Sequence, residues 1–270
     1  MRLMRLGPVA AFTLLVLAIP IQAQQSVATA PAPRDAQAVS ALQRSLAALV
    51  GTSTVKDITL TGSVRRIAGS DDDSGTATLK ATSIGQGRID LTIPSGSRSE
   101  VADVSQGAPT GSWCGADAVW HSTVPHNLLT DPSWFFPAFL FSRVLSAPTY
   151  AVSALDAETR NGVAVEHLAV YLQPSKADPT PTVTQNLSRI DVYLDSSTLL
   201  PVALSFNIHP DNDALTNIPV EVRLSNYQNT QGISAPYHIQ KYTQSSLDLD
   251  ITISSVQTNT GLSGSDFQVQ

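Results

Sequence analysis

The chain has 270 residues, 42% hydrophobic and only 14% charged, with a formal net charge of -6. So few charges, without a basic excess, exclude a nucleic-acid-binding class, and the apolar fraction excludes a disordered chain. The length allows one large all-β or α/β domain or two small ones, and aromatics are sparse at 6%.

In chain order, residues 1–23 read as a cleaved signal peptide. Arg2 and Arg5 precede the apolar residues 9–21, and Ile21-Gln22-Ala23 forms the cleavage site. Pro8 and Pro20 bracket an apolar run of about a dozen residues, short of the roughly 20 that span a bilayer, so no stable membrane anchor is expected. Gln24 stands where a bacterial lipoprotein would need a Cys. A periplasmic or secreted product is therefore expected, with a flexible leader at 24–34, rich in Ala, Pro, Gln and Ser, and a single domain at 35–270.

Residues 35–50 have helical periodicity. Val39, Leu42, Leu46, Leu49 and Val50 share a face, and Gly51 stops the helix. From Val55 the period becomes two. Ile58, Leu60 and Val64 alternate with polar residues, an acidic turn is predicted at 71–75, a strand at 76–82, and Ile89, Leu91 and Ile93 alternate again. Later strands surround Val192, Leu204, Val222 and Ile251, with weaker ones near Tyr150, Val163 and Ile233, about a dozen in all. Charges fall on the alternate, wet positions. Val256 has the wrong parity, which predicts a bulge near Ser254-Ser255. The Pro-rich stretch 174–181 is read as a long hairpin loop between strands.

Only two helical segments are predicted, too few for a helix per strand. A two-sheet sandwich, a closed barrel, or a curved sheet with helices in its mouth remain. The second helical candidate, 133–145, lies where the aromatics gather; Pro137 is awkward inside it, unless the helix begins near Phe136 and carries Pro137 in its first turn. All 3 Trp residues, Trp113, Trp120 and Trp134, fall in one segment with Phe135, Phe136, Phe139 and Phe141. This helix is apolar almost all round, so it is expected to be buried or to act as a plug. Trp134, Phe135, Phe136, Phe139, Leu140 and Trp120 are the candidates for lining an apolar ligand cavity.

The order of weak motifs resembles a known family. An N-terminal amphipathic helix runs into Asp57-Ile58-Thr59-Leu60-Thr61-Gly62-Ser63-Val64. Asp191-Val192-Tyr193-Leu194-Asp195 leads into Leu199-Leu200-Pro201-Val202, followed by Leu224-Ser225-Asn226-Tyr227, Gly232-Ile233-Ser234-Ala235-Pro236 and Ile251-Thr252-Ile253-Ser254-Ser255-Val256. Together they look like the outer-membrane lipoprotein carrier (LolA/LolB-like) superfamily. The resemblance implies a mainly β (α+β) fold: a large curved antiparallel sheet or unclosed half-barrel, with helices covering its concave apolar face. It implies a hydrophobic small molecule or lipoprotein acyl chains as ligand. The long aromatic segment from Trp113 has no match among such carriers, and no functional residue is carried over.

Three functions compete. The first is a non-catalytic binder or carrier of a hydrophobic ligand, and the second a cell-envelope interaction or sensor module with a protein partner. The third is a hydrolase using His167 or His121 with a nearby Ser. No catalytic residue, metal ligand or cofactor is expected. Ser53-Thr54-Val55-Lys56 sits at a strand entry rather than on a helix, and no nucleophile elbow or phosphate loop occurs. His121, His126 and Cys114 match no common zinc spacing. His167, in register with Val163 and Val165, reads as a hydrogen-bonded core histidine, and Cys114, the lone cysteine, as a small buried residue. Residues 71–73 and 209–213 lack the ligands of a calcium loop, and Asn186-Leu187-Ser188 is a formal glycosylation site.

Overall fold

The structure is a computed structural model and describes residues 33–270. The predicted signal peptide and residues 24–32 of the leader lie outside the described residues.

The alternating segments become the strands β1 (Asp57–Ala68), β2 (Asp71–Thr82), β3 (Gln86–Thr92), β4 (Arg98–Asp103), β5 (Thr110–Cys114) and β6 (Trp120–Ser122). The second half supplies β7 (Tyr150–Ala154), β8 (Glu158–Arg160), β9 (Val163–Leu172), β10 (Ile190–Asp195), β11 (Pro201–Ile208), β12 (Ile218–Thr230), β13 (Ile233–Thr243) and β14 (Ser246–Thr258). They form one 14-stranded sheet in the order β6-β5-β4-β3-β2-β1-β14-β13-β12-β11-β10-β9-β7, with β8 paired to β9. Every pairing between the strands is antiparallel. The two ends, β6 and β7, are not joined, so the architecture is the unclosed, mainly β half-barrel. The first and last strands, β1 and β14, meet in the middle of the sheet.

One face of the sheet is apolar and carries the helices. Leu60, Leu79, Val192, Val222, Ile239 and Ile251 are almost fully buried there. Burying a side chain of this size contributes about 1.5–3 kcal/mol, so this face dominates stability. The helix α1 (Ala36–Val50) starts where the Asp35 carboxylate accepts the Ala38 amide at 3.0 Å, and it stops at Gly51, whose φ is 55°. It buries Ala38, Leu42 and Leu49. A second helix, α2 (Ala138–Ser146), buries Phe139, Leu140, Phe141 and Val144.

The predicted bulge is present. Thr61 pairs with Ser255 and Gly62 with Ile253, leaving Ser254 as the extra residue. The bulge brings β14 so close that a Cβ on Gly62 would lie 2.0 Å from the Thr252 carbonyl oxygen, which accounts for glycine there.

Four expectations need correction. The acidic residues 71–75 are strand rather than turn, the reversal falling at Gly69-Ser70. Pairing with basic β1 offsets their poor strand preference, Asp72 meeting Arg65 at 2.6 Å. The helix predicted over 133–145 begins only at Ala138, in line with the alternative start near Phe136, because Pro137 has no amide proton and residues 133–136 form a tight turn closed by Phe136 N to Ser133 O. There are three helices among the described residues rather than two. The Pro-rich loop ends in α3 (Pro181–Ser188), started by Pro181 and seated through Ser188, whose hydroxyl accepts the Leu172 amide. Only Val183 and Leu187 are apolar there, so no periodicity announced it. Cys114 is half-buried rather than buried.

Candidate functional site

The segment joining the two halves of the sheet crosses its apolar face like a strap. After β6 a 3-10 turn, Pro125–Leu128, docks on the end of β11. The Asn127 amide group donates to the His209 carbonyl and accepts the His209 amide, both at 2.8 Å. Asp131 follows, buried, accepting the Ser133 amide at 2.7 Å and the Ser133 hydroxyl. Its other oxygen meets the Arg143 guanidinium of α2, so one carboxylate ties the turn to the helix it precedes. The strap lies directly on β3: a Cβ on Gly87 would come 2.6 Å from the Pro132 carbonyl oxygen. At the far end Arg34 donates to the carbonyls of Val144, Ala147 and Tyr150, placing a cation at the C-terminus of α2, where the helix dipole favours it.

The predicted cavity residues separate. Phe135, Phe136, Phe139 and Leu140 are essentially inaccessible and belong to the main core, Phe136 meeting Phe139 edge to face at 5.1 Å. They fill the inner face of the half-barrel. Trp134 belongs to the same core cluster, but one side of it borders open space. Trp120 sits half-buried on the edge strand β6, where it pairs with Cys114.

That open space is a cleft of about 600 Å³, within the usual range of about 300–1,000 Å³ for small-molecule sites. Ile89, Leu91, Trp134 and Leu249 give it an apolar floor, and Trp113, Cys114 and Ala116 stand at its β5 side. Arg66, Arg98 and Lys241 also line it. Sequence reasoning missed these three by placing every strand charge on the wet face. The signal was present: Arg66 shares parity with Leu60 and Val64, and Lys241 with Ile239. Lys241 lies 5.5 Å from the centre of the Trp134 ring, a cation–π arrangement.

The histidines lie apart. His121 stacks on Trp113, with ring centres 4.4 Å apart, whereas the His126 ring meets His209. Among the described residues no three His, Cys, Asp or Glu side chains are grouped to hold a metal ion. His167 faces away from the core, a correction to its predicted place, because Leu168 and Val170 take the inner face of β9. It stacks on Tyr193 and bonds Asp191 at 2.9 Å. Desolvation pushes the Asp191 carboxyl up, but its bonds to Arg189 and His167 outweigh that and hold it below the usual value.

On the outer face, Ser225 bonds His238 Nδ1 at 3.2 Å and Asp250 bonds His238 Nε2 at 2.7 Å. The three stand on adjacent strands as a row of cross-strand hydrogen bonds, with Ser225 exposed.

No protein-family model and no curated protein matches the sequence. Solved structures do match in fold. A putative outer membrane lipoprotein-sorting protein domain from Vibrio parahaemolyticus is 14% identical, with 86% of this chain and 96% of that chain covered and a TM-score of 0.53. A LolA superfamily protein from Nitrosomonas europaea is 12% identical over 86% and 97%, also at 0.53. A DUF1329 family protein from Desulfovibrio piger ATCC 29098 is 12% identical over 86% and 96%, at 0.54. The chain therefore has the fold that its sequence resembles, the unclosed antiparallel half-barrel of LolA superfamily proteins with helices against its inner face.

Proposed function

We propose that this chain is a non-catalytic, extracytoplasmic binder or carrier of a hydrophobic ligand, a lipid or a lipoprotein acyl chain. The observation that carries this reading is the cleft beside Trp134, whose apolar floor continues the core of an unclosed half-barrel. The likeness to a lipoprotein-sorting domain supports the same class of ligand, and the signal-like residues 1–23 support a periplasmic or secreted location. Trp134 is the contact residue in this reading. Phe135, Phe136, Phe139 and Leu140 back it as a plug.

Native mass spectrometry of the protein purified from its own envelope tests the proposal, with titration of a fluorescent fatty acid into delipidated protein. Co-purifying lipid and saturable binding are expected. Empty protein that binds no fatty acid would sink the idea.

One observation favours a second reading, an envelope interaction or sensor module with a protein partner: the aromatic plug already fills the inner face. Recovery of one stoichiometric protein partner from envelope extract, with no lipid, would select it.

A further inference from the structure

Four strands set one row of side chains across the inner face. By register Asp73 on β2 opposes Arg66 on β1, Arg66 opposes Leu249 on β14, and Leu249 opposes Lys241 on β13. Arg66 and Lys241 are two strand spacings apart, roughly 10 Å, and flank an apolar Leu249. A neighbouring row pairs Leu91 on β3 with Arg98 on β4. All three cations line the cleft described above.

Their charges are not held in ion pairs, although Glu100 and Asp248 line the same cleft. Among the described residues, none of Arg66, Arg98 and Lys241 has a carboxylate within 4.0 Å. Asp73, Glu100 and Asp248 are the acidic groups nearby, and Glu100 stands at the exposed rim. The Arg66 Nη1 donor is shut off from solvent with no acceptor. That closed nitrogen is not the one a ligand reaches; the rest of the Arg66 guanidinium and the Lys241 ammonium line the cleft without a protein acceptor among the described residues, so the site gains most from a ligand that brings an anionic oxygen to them. The Asp73 Oδ2 is likewise buried and unbonded, yet the two groups do not meet. Beside the cations, Ile89, Leu91, Leu249 and the Trp134 ring offer surface that no ion would use.

We infer that the cleft selects an amphiphile with an anionic head, a carboxylate or a phosphate ester, held between Arg66, Lys241 and Arg98 while its chain lies along Leu249, Leu91 and Trp134. The guanidinium groups suit a two-oxygen head, and Lys241 adds a point charge held over Trp134. This rests on the hydrophobic-ligand reading and narrows it to a head-group class.

The test is isothermal titration of the delipidated full chain with dodecyl phosphate, oleate, neutral mono-olein and inorganic phosphate, each amphiphile below its micelle concentration. Dodecyl phosphate or oleate is expected to bind about tenfold or more tightly than mono-olein, and far more tightly than inorganic phosphate. Arg66→Gln and Lys241→Gln are each expected to remove about that factor for the anionic ligands and leave mono-olein unchanged. A gain for both anions assigns any anionic head, and a gain for one alone assigns that head. Should Arg66→Gln fail to fold, the half-buried Lys241→Gln decides. Equal binding of mono-olein and the anions, with variants that change nothing, overturns the head-group inference and leaves the carrier reading standing. Inorganic phosphate binding as tightly as dodecyl phosphate overturns it too, in favour of a free-anion site. Failure of every amphiphile to bind removes the carrier reading itself.

Discussion

Replacing Phe136 by Ala tests whether the aromatic strap is part of the core or a loose cover. Phe136 has 0% of its surface exposed and meets Phe139 edge to face at 5.1 Å. Truncating a buried Phe costs about 3–5 kcal/mol, because transfer free energy is lost and a cavity opens, and about 0.5–1.5 kcal/mol of that comes from the ring pair. Near the melting point each kcal/mol lowers Tm by about 2–4 °C in a domain of this size, so a fall of roughly 6–20 °C is expected. Urea unfolding followed by far-UV circular dichroism should give a lower midpoint with an unchanged slope. Ile84→Ala, at a residue 59% exposed, serves as the control and should stay within about 0.5 kcal/mol. A loss below about 1 kcal/mol for Phe136→Ala would refute the reasoning and make the strap a lid that opens without unfolding the sheet.

Three further outcomes are expected. Arg143→Met leaves the Asp131 carboxylate buried without its cation and should cost about 3–5 kcal/mol by chemical denaturation, much of it restored when Asp131→Asn is added. Gly62→Ala drives a methyl group into the Thr252 backbone at the β1–β14 bulge and should lower Tm, by about 1–3 kcal/mol in stability or more, whereas Gly264→Ala, with open space around it, should not. Burial pushes the His209 imidazole below its ordinary value of 6.5, so the fold favours the neutral ring. Its stabilisation is therefore present above the unfolded value and is lost as pH falls. His209→Gln should flatten the loss of stability between about pH 7 and pH 5, and an unchanged slope would show that the ring titrates alike in both states.

Much of the fold was legible because each strand buries one face, which writes a period of two into the chain. The bulge was legible for the same reason, since Val256 can face inward only if one residue is skipped. Segments whose stability is not periodic were misread. The acidic start of β2 is strand because Arg65 lies across from it, α3 is seated by Ser188 and its proline rather than by an apolar stripe, and α2 starts late because of Pro137. At the site, clustering gathered Trp134 with four neighbours of the same core cluster and could not say which of them borders a cleft.

By itself the sequence determined the antiparallel sheet, the amphipathic first helix and the aromatic segment between two strand-rich halves, because burial periodicity and composition are local properties of a chain. Only the tertiary structure decided which aromatics fill the half-barrel and that Trp113 and Trp134 border the cleft. It also decided that Arg66, Arg98 and Lys241 line that one cleft. Those residues lie on β1, β4 and β13, and their proximity comes from the sheet order that joins the first strand to the last, a long-range pairing that no local pattern encodes.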